Sequence, residues 1–165
     1  MLTAVVCLAS CIFAAPQHSG APVVTISLAR DAIRVPDIPG WSLYGTLPST
    51  AVRGVSLIPA SDRAAPISSI SFRLLPPSTT KSRVLKEVPL RGSVYIHSII
   101  ASVGGSQRRV DCRRGDIVNE CFVLVPLRDS VLEAALTVAR SKEDAKYLPI
   151  FERQFSDALS RLKLP

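Results

Sequence analysis

Proline placement constrains this chain more than any other feature of its sequence. Ten of the thirteen prolines lie between Pro16 and Pro89, many of them eight to fourteen residues apart. Proline lacks an amide N–H and has a fixed φ, so it interrupts helices and is confined to turns and sheet edges. Turns at that interval leave room for short strands and for little else. The candidate strands are Val23 to Leu28, Trp41 to Leu47, Val52 to Ile58 and Ile70 to Leu75. In the last of these Ile70, Phe72 and Leu74 alternate with Ser71 and Arg73, the pattern of a strand with one buried face. Val84 to Leu90 reads as an edge strand, because Pro89 cannot donate to a ladder.

Proline is sparse beyond residue 90, and longer elements become possible. Val94 to Val103 is apolar on both faces and suits a central strand covered on each side. Gly104 and Gly105 form a two-residue hairpin signal, Gln107 to Arg113 returns, Gly115 and Asp116 turn again, and Ile117 to Leu127 closes a three-stranded antiparallel meander. From residue 128 the apolar period lengthens toward 3.6. Ser130 with Glu133 makes a capping box, and Leu132, Ala135, Leu136 and Ala139 form a helical stripe. The pattern predicts a helix over 130–147, with Ser141 and Asp144 as a possible second box that breaks it. Pro149 then opens a final helix over 150–163 carrying Phe151, Phe155, Leu159 and Leu162 on one face. The expected fold class is α+β: a mainly antiparallel sheet of short strands over residues 23–127, covered by two C-terminal helices. At 165 residues, one such domain over 23–165 fills the chain.

The first 22 residues have a different character. No charged side chain occurs from Met1 to Ala29, and Leu2 to Ala15 is interrupted only by Thr3 and Ser10. Fourteen residues are too few for a membrane span, which needs about 20, and fit the apolar core of a signal peptide. Within that run Leu8, Ala9, Ser10 and Cys11 resemble the bacterial lipobox, in which small residues precede a cysteine that is lipidated and becomes the new N-terminus. The resemblance spans four residues and implies a lipoprotein anchored to the membrane through Cys11. The acyl chains would bury several tens of methylenes at about 0.8 kcal/mol each. Cleavage near Ala14, Ala15 or Ala21 is the competing expectation, and residues 16–22 read as a tether.

Export gives the remaining cysteines a meaning. Cys112 and Cys121 lie on consecutive strands of the meander and face one another across a short turn, so a disulfide is expected, stabilising by roughly 2 to 3 kcal/mol. No metal and no cofactor is expected, since neither the cysteine spacing nor a histidine cluster supplies four ligands. Around the same turn Arg108, Arg109, Arg113 and Arg114 place four guanidinium groups within seven positions, a candidate anion- or partner-binding set. Adjacent arginines on a strand point to opposite faces, so at most two share a side, and charge on an edge strand also serves to prevent sheet extension. Arg114, Gly115 and Asp116 spell an adhesion tripeptide that an arginine-rich hairpin turn produces by coincidence.

Catalysis finds no foothold in this pattern. His18 falls in the tether and His97 stands alone in an apolar strand, where a histidine is usually a packed or edge residue. The zinc HExxH, CxxC, GxSxG and phosphate-loop patterns are absent. The net charge of +7 divides into +8 over residues 30–115 and −1 over 116–165. That surplus permits an anionic partner, but without interleaved aromatics or a recognisable module it does not indicate nucleic acid. The expected function is therefore an exported binding or scaffolding domain of the bacterial envelope, either lipid-anchored or periplasmic or secreted. Its partner would be an anionic envelope component or an acidic protein. An inhibitor or immunity-type protein that blocks a partner through the basic hairpin is the alternative, and a hydrolase with an unfamiliar site is the third.

Overall fold

The computed structural model describes residues 24–48, 53–60, 68–86, 91–140 and 145–165. The apolar leader, Cys11 and the tether lie outside them. Among the described residues no helix is long and apolar enough to cross a membrane.

The described residues open with a hairpin of β1 (Val24–Leu28) and β2 (Asp31–Val35). Seven further strands follow: β3 (Trp41–Pro48), β4 (Arg53–Pro59), β5 (Ser69–Leu75), β6 (Val94–Val103), β7 (Ser106–Arg114), β8 (Val118–Pro126) and β9 (Val131–Ala139). They form one antiparallel sheet in the order β3-β4-β5-β9-β8-β7-β6. Two meanders, β3-β4-β5 and β6-β7-β8-β9, thus meet along the β5–β9 ladder, where Leu74 pairs with Leu132 and Phe72 with Ala134. A short helix α1 (Lys81–Val84) follows β5, and a 3₁₀ turn (Ala145–Tyr147) leads into helix α2 (Leu148–Arg161).

One face of the sheet carries the main core. Side chains at alternate positions, among them Val55, Phe72, Leu132, Leu136, Val123 and Val110, pack beneath Phe155, Ala158 and Leu159 of α2 and beneath Ile26 and Ile33 of the β1–β2 hairpin. Trp41 ties the two ends of this layer together: its ring meets Phe151 edge-on at 5.2 Å, and its Nε1 donates to Gln154 Oε1 at 2.9 Å. Past α2 the chain bridges back to the hairpin, with Arg34 N donating to Lys163 O. The opposite face is more polar, and its apolar contacts centre on Val84, Phe122 and Ala135.

The four front strands, the Gly104–Gly105 hairpin with both glycines at positive φ, the meander and the final helix all form as their sequences predict. Three expectations are corrected. The segment from 130 is a strand, β9, and among the described residues between it and α2 the one helical element is the 3₁₀ turn. It is buried on both faces, so its apolar run is nearly continuous and satisfies a helical spacing as readily as an extended one. Ser130 does not cap a helix; its hydroxyl donates to Asp31 Oδ2 at 2.6 Å. The second box, Ser141 with Asp144, lies outside the described residues. Val94 to Val103 is an edge strand rather than a central one, with α2 covering one side and Tyr95 and Ile100 exposed on the other. Val84, expected to begin an edge strand, ends α1 instead: Thr80 caps that turn through Oγ1, and 87–90 lie outside the described residues.

Candidate functional site

The richest concentration of reactive side chains lies where β6, β7, β8 and α2 meet. Cys112 and Cys121 are direct cross-strand partners on β7 and β8, and their sulfurs stand at bonding distance as a disulfide. Both are on the face beneath α2 and are almost fully buried. On the other side of β7, a register shift between Tyr95 and His97 places His97, rather than Ile96, opposite Cys112. Such a bulge re-aims side chains, and here it turns the imidazole toward the sulfurs on the helix-covered face. From above, α2 lowers Glu152 into the same space. Glu152 Oε1 is 3.1 Å from His97 Nε2 and 3.6 Å from Cys121 Sγ.

His97, Cys112 and Glu152 thus bring their nitrogen, sulfur and oxygen within 4.8 Å of one another. The His97 side chain is 40% exposed and that of Glu152 16%, so the cluster is open to solvent on the imidazole side and closed on the sulfur side. A disulfide sulfur has no proton to donate, so the carboxylate gains no hydrogen bond from Cys121 in the oxidised protein. After reduction the Cys121 thiol becomes a donor aimed at Glu152.

The four arginines of β7 do not form a single patch. Arg109 and Arg113 point to the polar face, Arg108 and Arg114 to the other, as strand alternation requires. β7 is also the second strand from the edge, so these charges do not protect the edge strand itself. Arg113 is held by Ser93, donating to its Oγ at 2.9 Å and its backbone oxygen at 2.6 Å. Arg109 donates to Asp111 Oδ1 at 2.9 Å and to Tyr95 Oη at 3.2 Å. Lys81 of α1 engages the other Asp111 oxygen. Burial pushes the Asp111 carboxyl up, but hydrogen bonds and positive charge from Lys81 and Arg109 outweigh it and hold the group below the usual carboxylate range. Among the described residues Arg108 and Arg114 make no ion pair. They stand roughly 20 Å apart at about 3.4 Å per residue.

β7 and β8 are paired only from Asp111 to Arg114, and where they part the surface holds a cavity of about 470 Å³ lined by Lys81, Arg108, Arg109 and Phe122. Arg108 also lines a second opening of about 520 Å³, with Arg30 from the first hairpin and Arg128 after β8. Proximity in sequence suggested one arginine cluster; the fold instead shares Arg108 with arginines from distant segments.

Sequence spacing pointed to the cysteine pair but not to the cluster around it. Glu152 follows Cys121 by 31 residues and His97 precedes Cys112 by 15, so no local motif contains them. The one available signal was that His97 falls on the strand next to Cys112. No protein-family model matches the chain, and no curated protein is significantly similar to it.

Proposed function

We propose that this protein is an exported binding domain that engages an acidic, extended protein segment along the outer edge of β6, which no described strand covers, with the arginines of β7 providing the complementary charge. The observation that carries this reading is the composition of that edge. Val94, Tyr95 and Ile100 are exposed on β6, and its only titratable residue other than Tyr95 is His97, which turns inward. Natural edges are usually protected by lysine, proline or inward charge against strand addition. An edge without that protection is suited to receiving a strand, with main-chain hydrogen bonds supplying affinity. A strand added there would lie two spacings, roughly 10 Å, from β7, a gap that the length of an arginine side chain narrows to within the screening length of about 8 Å at physiological salt.

Export and the envelope tether rest on the apolar run to Ala15 and on Leu8 to Cys11, and form part of the same proposal. The inhibitor reading uses the same basic surface and differs in demanding a tight one-to-one complex. A hydrolase reading draws less support, because His97 is joined to a carboxylate and to sulfur, and among the described residues no hydroxyl hydrogen-bonds to it.

A labelled peptide alternating valine and glutamate tests the reading. It should bind with marked salt dependence and slow the exchange of β6 amides. Reversing Arg108 and Arg114 to Glu together should weaken it by about tenfold. Equal binding of a peptide of the same charge carrying proline at alternate positions, or absence of β6 protection, would sink the proposal.

A further inference from the structure

We propose that Cys112, Cys121, His97 and Glu152 form a redox-gated zinc site, closed by the disulfide and opened by its reduction. The inference is independent of the edge-binding reading, since it concerns the space beneath α2 rather than the surface beyond β6.

The donor set is that of zinc. Two thiolates, an imidazole nitrogen and a carboxylate oxygen are all zinc ligands, whereas calcium and magnesium favour all-oxygen shells. In a tetrahedral site with Zn–S of about 2.3 Å and Zn–N or Zn–O of about 2.0 to 2.1 Å, neighbouring N and O ligands lie about 3.3 Å apart, and S and O about 3.5 Å. The structure already places His97 Nε2 and Glu152 Oε1 at 3.1 Å and Cys121 Sγ and Glu152 Oε1 at 3.6 Å. What remains is for the bonded sulfurs to part to about 3.8 Å and for Cys112 Sγ, which lies within 4.8 Å of the His97 and Glu152 donor atoms, to settle about 3.5 Å from each, movements that rotation about the side-chain bonds supplies. The ligands come from three adjacent strands and one helix, so the backbone holds them together in either redox state.

The chemistry balances with a dithiol as reductant. Its two thiols pass two electrons and two protons to Cys112–Cys121; the protein S–S bond breaks, two thiols form, and the reductant closes its own disulfide. Zinc then displaces both thiol protons to solvent as the two Zn–S bonds form. Imidazole and carboxylate join as neutral nitrogen and anionic oxygen donors, leaving a site of net charge −1. The half-exposed imidazole gives the ion a way in, and the buried sulfurs exclude bulk water from the inner side.

The whole chain, treated with a dithiol, freed of metal and exchanged into reductant-free, oxygen-free buffer, is titrated with zinc against a chromogenic chelator, and separately with cobalt as a spectroscopic stand-in. The expected result is one ion per reduced chain, none per oxidised chain, and cobalt spectra showing thiolate charge transfer with tetrahedral d–d bands. Glu152→Gln and His97→Asn leave the cysteines intact and lie at the solvent side of the cluster, so they keep the test informative if Cys112→Ser does not fold. Each should weaken binding by at least about tenfold, with far-UV circular dichroism unchanged. Arg83→Ala, an exposed position on α1, should leave affinity as it is. Zinc bound equally by the oxidised chain, no zinc bound by the reduced chain, or affinity indifferent to both Glu152→Gln and His97→Asn would each overturn the proposal.

Discussion

Arg73 on β5 and Glu133 on β9 stand directly opposite one another, and Arg73 Nη2 lies 2.7 and 2.6 Å from the two oxygens of a carboxylate that is 1% exposed. This pair holds the seam at which the two meanders join. Removing one partner of a buried pair leaves the other charge desolvated, at a cost of about 3 to 5 kcal/mol. Because Arg73 keeps some access to water, Arg73→Met should cost about 3 kcal/mol, read from the midpoint of chemical denaturation. The double variant Arg73→Met with Glu133→Leu should recover most of that loss; equal instability of the single and double variants would show that the pair is not what closes the seam.

Acid should loosen the join between the first hairpin and the β8–β9 turn. Burial raises the Asp31 carboxyl, but hydrogen bonds from the Ser130 hydroxyl and from the backbone N–H groups of Asp129, Arg128 and Ser130 outweigh it and hold the group below its ordinary 3.8. A carboxyl lowered in the folded state binds its proton more readily when unfolded. Its contribution is therefore complete above the unfolded value and is lost as pH falls through the lower folded one. Denaturation midpoints between pH 6 and 2.5 should drop below about pH 4. Asp31→Asn should flatten part of that drop, with Asp111 providing the remainder through the same sign of shift.

The disulfide should stabilise the oxidised chain by constraining the unfolded state. Its cysteines are 9 residues apart, and a loop of that length is worth roughly 2 to 3 kcal/mol in the chain-entropy model. Cys112→Ser with Cys121→Ser should lower the denaturation midpoint accordingly, and a reductant should shift the parent protein but not the double variant. A parent protein indifferent to reductant would count against a formed bond.

Ala29 is the residue whose replacement should increase stability. It occupies the β1–β2 turn at φ 54, a left-handed conformation that costs a residue with a Cβ about 1 kcal/mol or more. Ala29→Gly removes that cost and adds some unfolded-state entropy, so a net gain of roughly 0.5 kcal/mol is expected in thermal or chemical denaturation. Ala29→Val should move the midpoint in the opposite direction.

Local physics determined much of this protein from its sequence alone. Proline spacing set the short strands, Gly104 and Gly105 set the tight hairpin, and the stripe of Phe155 and Leu159 marked the helix that covers the sheet. Cross-strand pairing of Cys112 with Cys121 followed from the turn between them. Each of these depends on neighbours a few residues away. Tertiary structure decided the rest. Whether 131–139 would be helix or strand depended on burial from both sides, and on Arg73, sixty residues earlier in the chain, to receive Glu133. The order of strands left Val94–Val103 at an edge, which hydrophobic pattern cannot express because an apolar face reads the same beneath a helix as beneath another strand. Most of all, the meeting of His97, the two cysteines and Glu152 required a bulge in β6 and the docking of α2, and no spacing within the sequence encodes that convergence.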